Sequence, residues 1–270
     1  MSLVACDPAP LEVVVVDGDK NRSAESVTTD VAGGTDIPVR YFHSEPGLTR
    51  QRNLALRNIT GSVVAFFDDD ATVAADVFTH LAAAYEDATV VGATGRVIEP
   101  VDHAVGGRTS SVRRLLLGGR PGTFTRFGYP RRYNVAVEPL DVEFMQGCFM
   151  TARADLAATV GFDERLPGYG LAEDEDFSCR LSRMGRLRYL PAAVVHHDNT
   201  GFATRDARRF GRQVVVNRSH LFRKNFPQSA LARSCFWLMI AVLYVHRAVN
   251  RDWAGARGLI DGVREVWSAS

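Results

Sequence analysis

Asp68, Asp69 and Asp70 stand side by side at the end of an apolar run, Ser62–Phe67. Two carboxylates roughly 5 Å apart repel by about 3 kcal/mol at an effective dielectric near 20, and a cation between them removes that penalty. Hard oxygen donors of this kind suit Mg²⁺ or Mn²⁺. The competing explanation is a solvated acidic turn that caps the helix following Val73. A second acidic run, Glu173–Asp176, opens an amphipathic stretch that reaches Met184. The helix macrodipole alone accounts for carboxylates there. Beside a bound sugar, one of them can instead act as a general base toward a hydroxyl. The approach Pro167–Gly170 (PGYG) lets a substrate come close to the backbone. A third group, His196–His197–Asp198, ends an apolar segment, and alternation turns only one of the two histidines toward a ligand. A lone surface histidine is usually inert, but together with an acidic cluster it makes a third metal ligand.

These residues need a scaffold that brings distant chain segments to one edge. Short apolar runs alternate with amphipathic stretches, the pattern of a mainly parallel sheet covered by helices. Strands are expected at Leu11–Asp17, Ile37–Phe42, Ser62–Phe67, Thr89–Val97, Leu187–Leu190 and Ala193–His197, and regular pattern resumes at Val142–Met150. Helices are expected at Asn21–Val31, Leu48–Asn58, Ala74–Tyr85, Arg153–Val160 and Glu173–Met184. The Asp68–Asp70 triplet then lies at the carboxyl end of a strand, where open α/β sheets place their ligands. Leu11–Asp17 has no polar face and calls for neighbours on both edges. Between 99 and 139 periodicity fails amid glycine, proline and arginine, as in a lid or binding segment. After Phe202 the pattern is helical, with a break at Pro227.

Composition narrows the class. The 270 residues carry 32 basic and 31 acidic side chains and are 46% hydrophobic, a globular profile with no electrostatic footprint for nucleic acid. Only Lys20 and Lys224 are lysines, so arginine supplies nearly all the positive charge. Four scattered cysteines show no CxxC pair and indicate neither a zinc knuckle nor a disulfide framework, which fits a cytoplasmic setting. The start, MSLVACDPAP, lacks the pattern of a signal peptide. The apolar run Cys235–Val245 has eleven residues, against about twenty for a membrane-spanning helix.

Taken in order, these pieces resemble the family-2 glycosyltransferases, inverting enzymes of the GT-A fold that use nucleotide-diphosphate sugars. LEVVVVDGD (11–19), PGLTRQRNLAL (46–56), VVAFFDDD (63–70), QGCFMTAR with GFDERL, AEDEDFSCRLSRMG and LRYLPAAVVHHD correspond to six family segments in the family's sequence order. The resemblance spans about residues 3 to 200. It implies an α/β, Rossmann-like, mostly parallel sheet flanked by helices over 1–202, with a C-terminal helical extension over 203–270.

The resemblance also implies roles. Asp17, Arg52, Asn53, Asp68 and Asp69 would bind the donor, and Asp70, Asp68 and His197 would hold Mg²⁺ or Mn²⁺ on its diphosphate. Asp174 would deprotonate the acceptor hydroxyl, with Glu173 shaping the site. The partners implied are a nucleotide-diphosphate sugar and a glycan or lipid-linked acceptor. Ala172 stands where the family commonly has glycine, and so does Ala55. Family members also begin with a further strand beside the one at Val13–Val16. MSLVACDPAP matches only the end of the helix after it, so roughly thirty further residues, the βα part of one βαβ unit, are expected before Met1.

The basic stretch 212–227 and the apolar run after it either pack on the catalytic domain or lie on the inner face of the plasma membrane, making peripheral contact through 203–250. Two other functions fit the same residues: a metal-dependent phosphoesterase built on Asp68–Asp70 and His197, and a non-catalytic remnant that only binds a glycan or partner.

Overall fold

The computed structural model describes residues 2–99, 116–133, 136–166, 170–198 and 206–268. Most of the irregular 99–115 stretch, residues 134–135 and positions 167–169 of the PGYG approach therefore lie outside the described residues. The chain divides into two compact units, Met1–Pro100 with Tyr133–Asp198, and Val101–Arg132 with Asn199–Ser270.

The first unit carries eight strands and five α-helices among the described residues. β1 (Val13–Asp17) and β2 (Val39–His43) pair in parallel, with α1 (Ala24–Gly33) between them in sequence and α2 (Leu48–Leu56) following. The other six strands form a second sheet: β3 (Val63–Phe67), β4 (Ala71–Val73), β5 (Val90–Ile98), β6 (Leu140–Val142), β7 (Phe149–Arg153) and β8 (Arg186–His197). Its order is β3-β7-β5-β8-β4, with β6 also on β8. The helices here are α3 (Val77–Tyr85), α4 (Ala154–Val160) and α5 (Glu173–Leu181).

The sheet is mixed, and the mixture explains how the site assembles. β7 runs antiparallel to both β3 and β5, while β5 runs parallel to β8. β3, β5 and β8 therefore point the same way, and their carboxyl ends lead into Asp68, Glu99 and His197. The two strands expected at 187–190 and 193–197 are one strand with a register shift, from Gly95 opposite Leu190 to Arg96 opposite Val194. Pro191 sits in that irregularity, where proline removes no needed ladder bond. Gly95 faces it closely: a Cβ there would lie 1.9 Å from the Ala193 carbonyl oxygen. Over 142–150, where regular pattern resumes, β6 ends at Val142 and β7 begins at Phe149, with Gly147 in the turn between them.

The core beneath this edge is apolar and closely packed, with Val77, Ala93, Phe149, Ala193 and Val195 fully buried. β1 behaves differently. Among the described residues its strand neighbour is β2 alone, and Val14, Val15 and Val16 are only half-buried. On the other side the Gln51 amide donates to the Val16 carbonyl at 2.9 Å, and Glu12 accepts from the Thr60 hydroxyl at 2.9 Å.

The second unit contains α6 (Ala207–Asn225), α7 (Ala230–Val249) and α8 (Trp253–Ser268). Asp206 caps α6 by accepting from the Arg208 and Arg209 amides, and Ser229 caps α7. Pro227 falls in the break between these two helices, as the sequence pattern requires. α7, at 20 residues, is long and apolar enough to cross a membrane by length and composition, although the apolar run at its centre is shorter. Residues 118–132 fold back on themselves, with Phe124 bridged to Pro130 and Arg131 donating to the Gly118 carbonyl.

Candidate active site

Asp68 leaves β3 and starts a turn in which the Ala71 amide donates to the Asp68 carbonyl at 3.1 Å. The chain then runs back as β4 beside the end of β8, with Ala71 opposite His197. That register brings Asp70 to His197: the imidazole Nε2 lies 3.0 Å from Asp70 Oδ1. Asp68, Asp70 and His197 each offer a ligand atom, all within 4.8 Å of one another, and all three are half-buried. Two carboxylates and an imidazole form a donor set that fits Mg²⁺ or Mn²⁺. Asp69 points outward at the same turn and is exposed. His196 faces away from this cluster and is exposed, as strand alternation requires.

Sequence reasoning missed Glu99. It follows β5 directly, and its Oε1 lies 3.3 Å from Nδ1 of His197. A carboxylate on one imidazole nitrogen fixes the ring's orientation and leaves the other to face the cluster. The only signal in the sequence was its place after an apolar strand parallel to the one bearing His197.

A second constellation is built on Arg52. This α2 side chain is 6% exposed and lies over the Phe162 ring at 5.4 Å and the Phe66 ring at 5.9 Å. Its guanidinium donates to Glu173 Oε1 at 2.7 Å, to Asp68 Oδ1 at 3.0 Å and to the Gly147 carbonyl at 2.8 Å. Arg52 thus joins the cluster at the sheet edge to the start of α5. Gly147 completes the link, since its amide donates to Asp174 Oδ2 at 3.0 Å. A Cβ at Gly147 would fall 3.1 Å from Glu173 Oε1.

The four acids of α5 have different surroundings. Glu173 pairs with Arg52, Asp174 with the Gly147 and Glu175 amides, and Asp176 with Arg180 at 2.7 Å. Asp176 is fully buried, and Arg180 also donates to the Gly161 carbonyl. Burial pushes the Glu173 carboxyl up, the neighbouring Asp174 charge adds to this, and Arg52 only partly offsets both. Burial raises Asp174 as well, with Glu175 adding to it, against the amide hydrogen bonds and Arg52. Asp174 is nevertheless only half-buried, whereas Glu173 is buried. A partly accessible carboxylate with a raised proton affinity suits a general base. Ala172, just before the helix, has φ +72°, the left-handed region that favours glycine. This is the physical reason for a glycine at this place.

The remaining expected donor residues are engaged by the protein. Asp17 is buried and accepts from the Asp19 amide at 2.7 Å, the Ala24 amide at 3.1 Å and the Tyr41 hydroxyl at 3.1 Å. Burial works to raise its carboxyl, and these hydrogen bonds hold it below the usual range. Asn53 donates both amide hydrogens, to the Phe162 carbonyl and to Glu164, and accepts from the Phe162 amide.

Comparison with known proteins gives a consistent picture. The family model described as Glycosyl transferase family 2 matches residues 2–161. The succinoglycan biosynthesis protein ExoM of Rhizobium meliloti (strain 1021) is 35% identical over 266 residues, covering 93% of this chain and 81% of its own. A mannosyltransferase, PcManGT from Pyrobaculum calidifontis, in complex with GDP-Man and Mn2+, shares the fold with a TM-score of 0.58 at 18% identity, over 100% of this chain and 70% of its own. GalNAc-T7 with UDP, GalNAc and Mn2+ gives a TM-score of 0.53 at 20% identity over 76% of this chain, which spans 42% of that protein's length.

Proposed function

Because this chain belongs to glycosyl transferase family 2 and is a glycosyltransferase, we propose that it moves a sugar from a nucleotide-diphosphate donor to a hydroxyl of a cell-surface glycan or glycolipid, with inversion. The observation that supports this most is the continuity of the site. Asp68, Asp70 and His197 meet at one sheet edge, and Arg52 connects Asp68 to the helix that carries Asp174.

In this reading Asp68, Asp70 and His197 hold Mg²⁺ or Mn²⁺. When bound, the ion supplies positive charge to the departing diphosphate. Glu99 keeps the His197 ring in place. Asp17, Asp68 and Asp69 receive the nucleoside and sugar of the donor, while Arg52 and Asn53 position their surroundings through the contacts they make within the protein. Asp174 takes the proton of the acceptor hydroxyl as its oxygen bonds to the anomeric carbon and the bond from that carbon to the diphosphate oxygen breaks. Glu173 and Arg52 hold the start of α5 in register with Gly147. The enzyme works in the cytoplasm at the inner face of the plasma membrane, where lipid-linked acceptors are presented.

A panel of sugar nucleotides with Mn²⁺ and glycan or lipid-linked acceptors tests the reaction. Asp174→Asn should lower transfer by at least about 10³-fold, within reach of what a general base contributes, while donor binding persists. Equal turnover in the variant, or donor cleavage indifferent to acceptor, would refute the assignment.

A further inference from the structure

Helix α7 is apolar on both of its faces. Its inner side, with Ala232, Phe236, Met239 and Ile240, is buried, and Phe236 stacks on Phe222 of α6 at 5.0 Å. Its outer side carries Leu231, Leu238, Val245 and Val249, which are 67%, 47%, 57% and 76% exposed. Steps of seven, seven and four residues place these on one stripe, where a helix at a water-facing surface is polar. By contrast, the apolar residues Val214, Val215, Leu221 and Phe222 of the basic helix α6 are buried. Among the described residues from 206 on, the exposed large apolar side chains lie on α7 and the helix after it, not in 212–227.

Helix α8 adds a second stripe. Gly255, Gly258 and Gly262 let it approach α6 closely: a Cβ on Gly258 would lie 2.0 Å from the Arg208 carbonyl oxygen. The side turned away reads Trp253, Arg257, Ile260, Arg264 and Trp267, in steps of four and three, and all five are exposed. Trp267 meets Trp237 of α7 at 5.9 Å, so the helices are neighbours. α8 turns its glycine face to α6 and α7 sets Phe236 on it, each on the side opposite its exposed stripe.

We infer that these two outer faces dock on a bilayer rich in anionic lipid, as helices lying in the interface. Charge selects this occupant. The exposed stripe of α8 carries Arg257 and Arg264 and no carboxylate, and residues 230–268 hold five arginines against three carboxylates. Such a face is repelled by a second copy of itself and attracted to anionic headgroups. Tryptophans at the two ends of the α8 stripe with arginines between them suit the interface, with rings at headgroup level and guanidinium groups reaching the phosphates. Arg233 and Arg247 within α7, together with its packed inner face, favour lying in the interface over crossing it. The proposal deepens the membrane-face reading above and rests on it.

Flotation of the full chain with vesicles of equal parts phosphatidylglycerol and phosphatidylcholine, against phosphatidylcholine alone, tests both layers. The wild type should float with the anionic vesicles, be released by carbonate, and have its tryptophan fluorescence quenched by brominated lipid. Leu238→Glu with Val245→Glu should weaken binding by about tenfold or more at unchanged melting temperature. Arg257→Gln with Arg264→Gln should remove only the preference for anionic lipid. A wild type that stays with the buffer overturns both readings. A stripe variant that floats like wild type overturns this surface and leaves membrane association standing. Resistance to carbonate would mean a spanning helix, and loss of a dimer without loss of flotation would mean a second copy; either overturns the proposal. Quenching in the wild type reads the surface directly should the stripe variant fail to fold.

Discussion

The cluster of Asp68, Asp70 and His197 and the group built on Arg52, Glu173 and Asp174 are neighbours, yet their charges are balanced in different ways. In the second, a buried guanidinium inside the protein compensates the carboxylates and is itself held by two aromatic rings. In the first, Asp68 also meets that guanidinium, but it converges with Asp70 and His197, all half-buried, at an accessible edge. The difference separates two tasks. A site whose compensating charge is built in is rigid and sets geometry, whereas one whose charge is completed from outside takes up a ligand. Carboxylates alone do not distinguish these tasks; the location of the partner cation does.

Removing the built-in cation should have the largest effect on stability. Arg52→Ala leaves Glu173 and Asp68 without their buried partner and should destabilise the fold by about 3–5 kcal/mol, read by chemical denaturation. Arg52→Lys should recover only part, because one ammonium cannot reproduce the forked contacts to Glu173, Asp68 and Gly147. A loss below about 1 kcal/mol for the alanine variant, the level of an exposed ion pair, would break the distinction.

The outer cluster should respond in affinity instead. Glu99→Ala removes the partner of His197 Nδ1 and should weaken Mn²⁺ binding about 10- to 100-fold with little change in melting temperature. Glu99→Gln, which keeps an acceptor for that nitrogen, should restore most of it. An unchanged affinity would remove Glu99 from the site.

A smaller effect separates the two groups by pH. Folding raises the proton affinity of Glu173, so its contribution to stability is fully present below the ordinary carboxylate range and is lost as pH rises through the raised value. Glu173→Gln does not titrate, so melting temperature should shift in the variant's favour as pH increases over that window. A constant difference across pH would show that Glu173 is ionised in the fold throughout. The smallest change is expected at Ala172→Gly. Relief of a left-handed alanine, roughly 1 kcal/mol, is mostly offset by the flexibility glycine adds to the unfolded chain, and a marked loss of stability would contradict the strain.

Much of the site was legible because its chemistry is written in runs of neighbouring residues. Asp68–Asp70 follows a five-residue apolar strand, Glu173–Asp176 opens a helix, and His197 ends a strand, each visible as a change of pattern. What was not legible depends on pairing. β4 has three residues, too few for a period, yet its register with β8 carries Asp70 to His197. Glu99 is a single acid beside an irregular stretch. Arg52 reads as one arginine among thirty, and nothing local shows that it faces Glu173, 121 positions away. Proline at 191 looked like a strand end, but the sheet absorbs it in an irregularity over Gly95. The four-valine run of β1 called for two strand neighbours; among the described residues one is a strand and the other side is met by the Gln51 amide.

A calorimetric titration of Mn²⁺ with UDP, and in parallel with GDP, into the wild type, Asp70→Asn and His197→Ala tests the metal-dependent donor site most directly. Nucleotide binding should require the metal in the wild type and weaken at least about tenfold in each variant. Binding equally tight without metal, or unchanged in both variants, would contradict it.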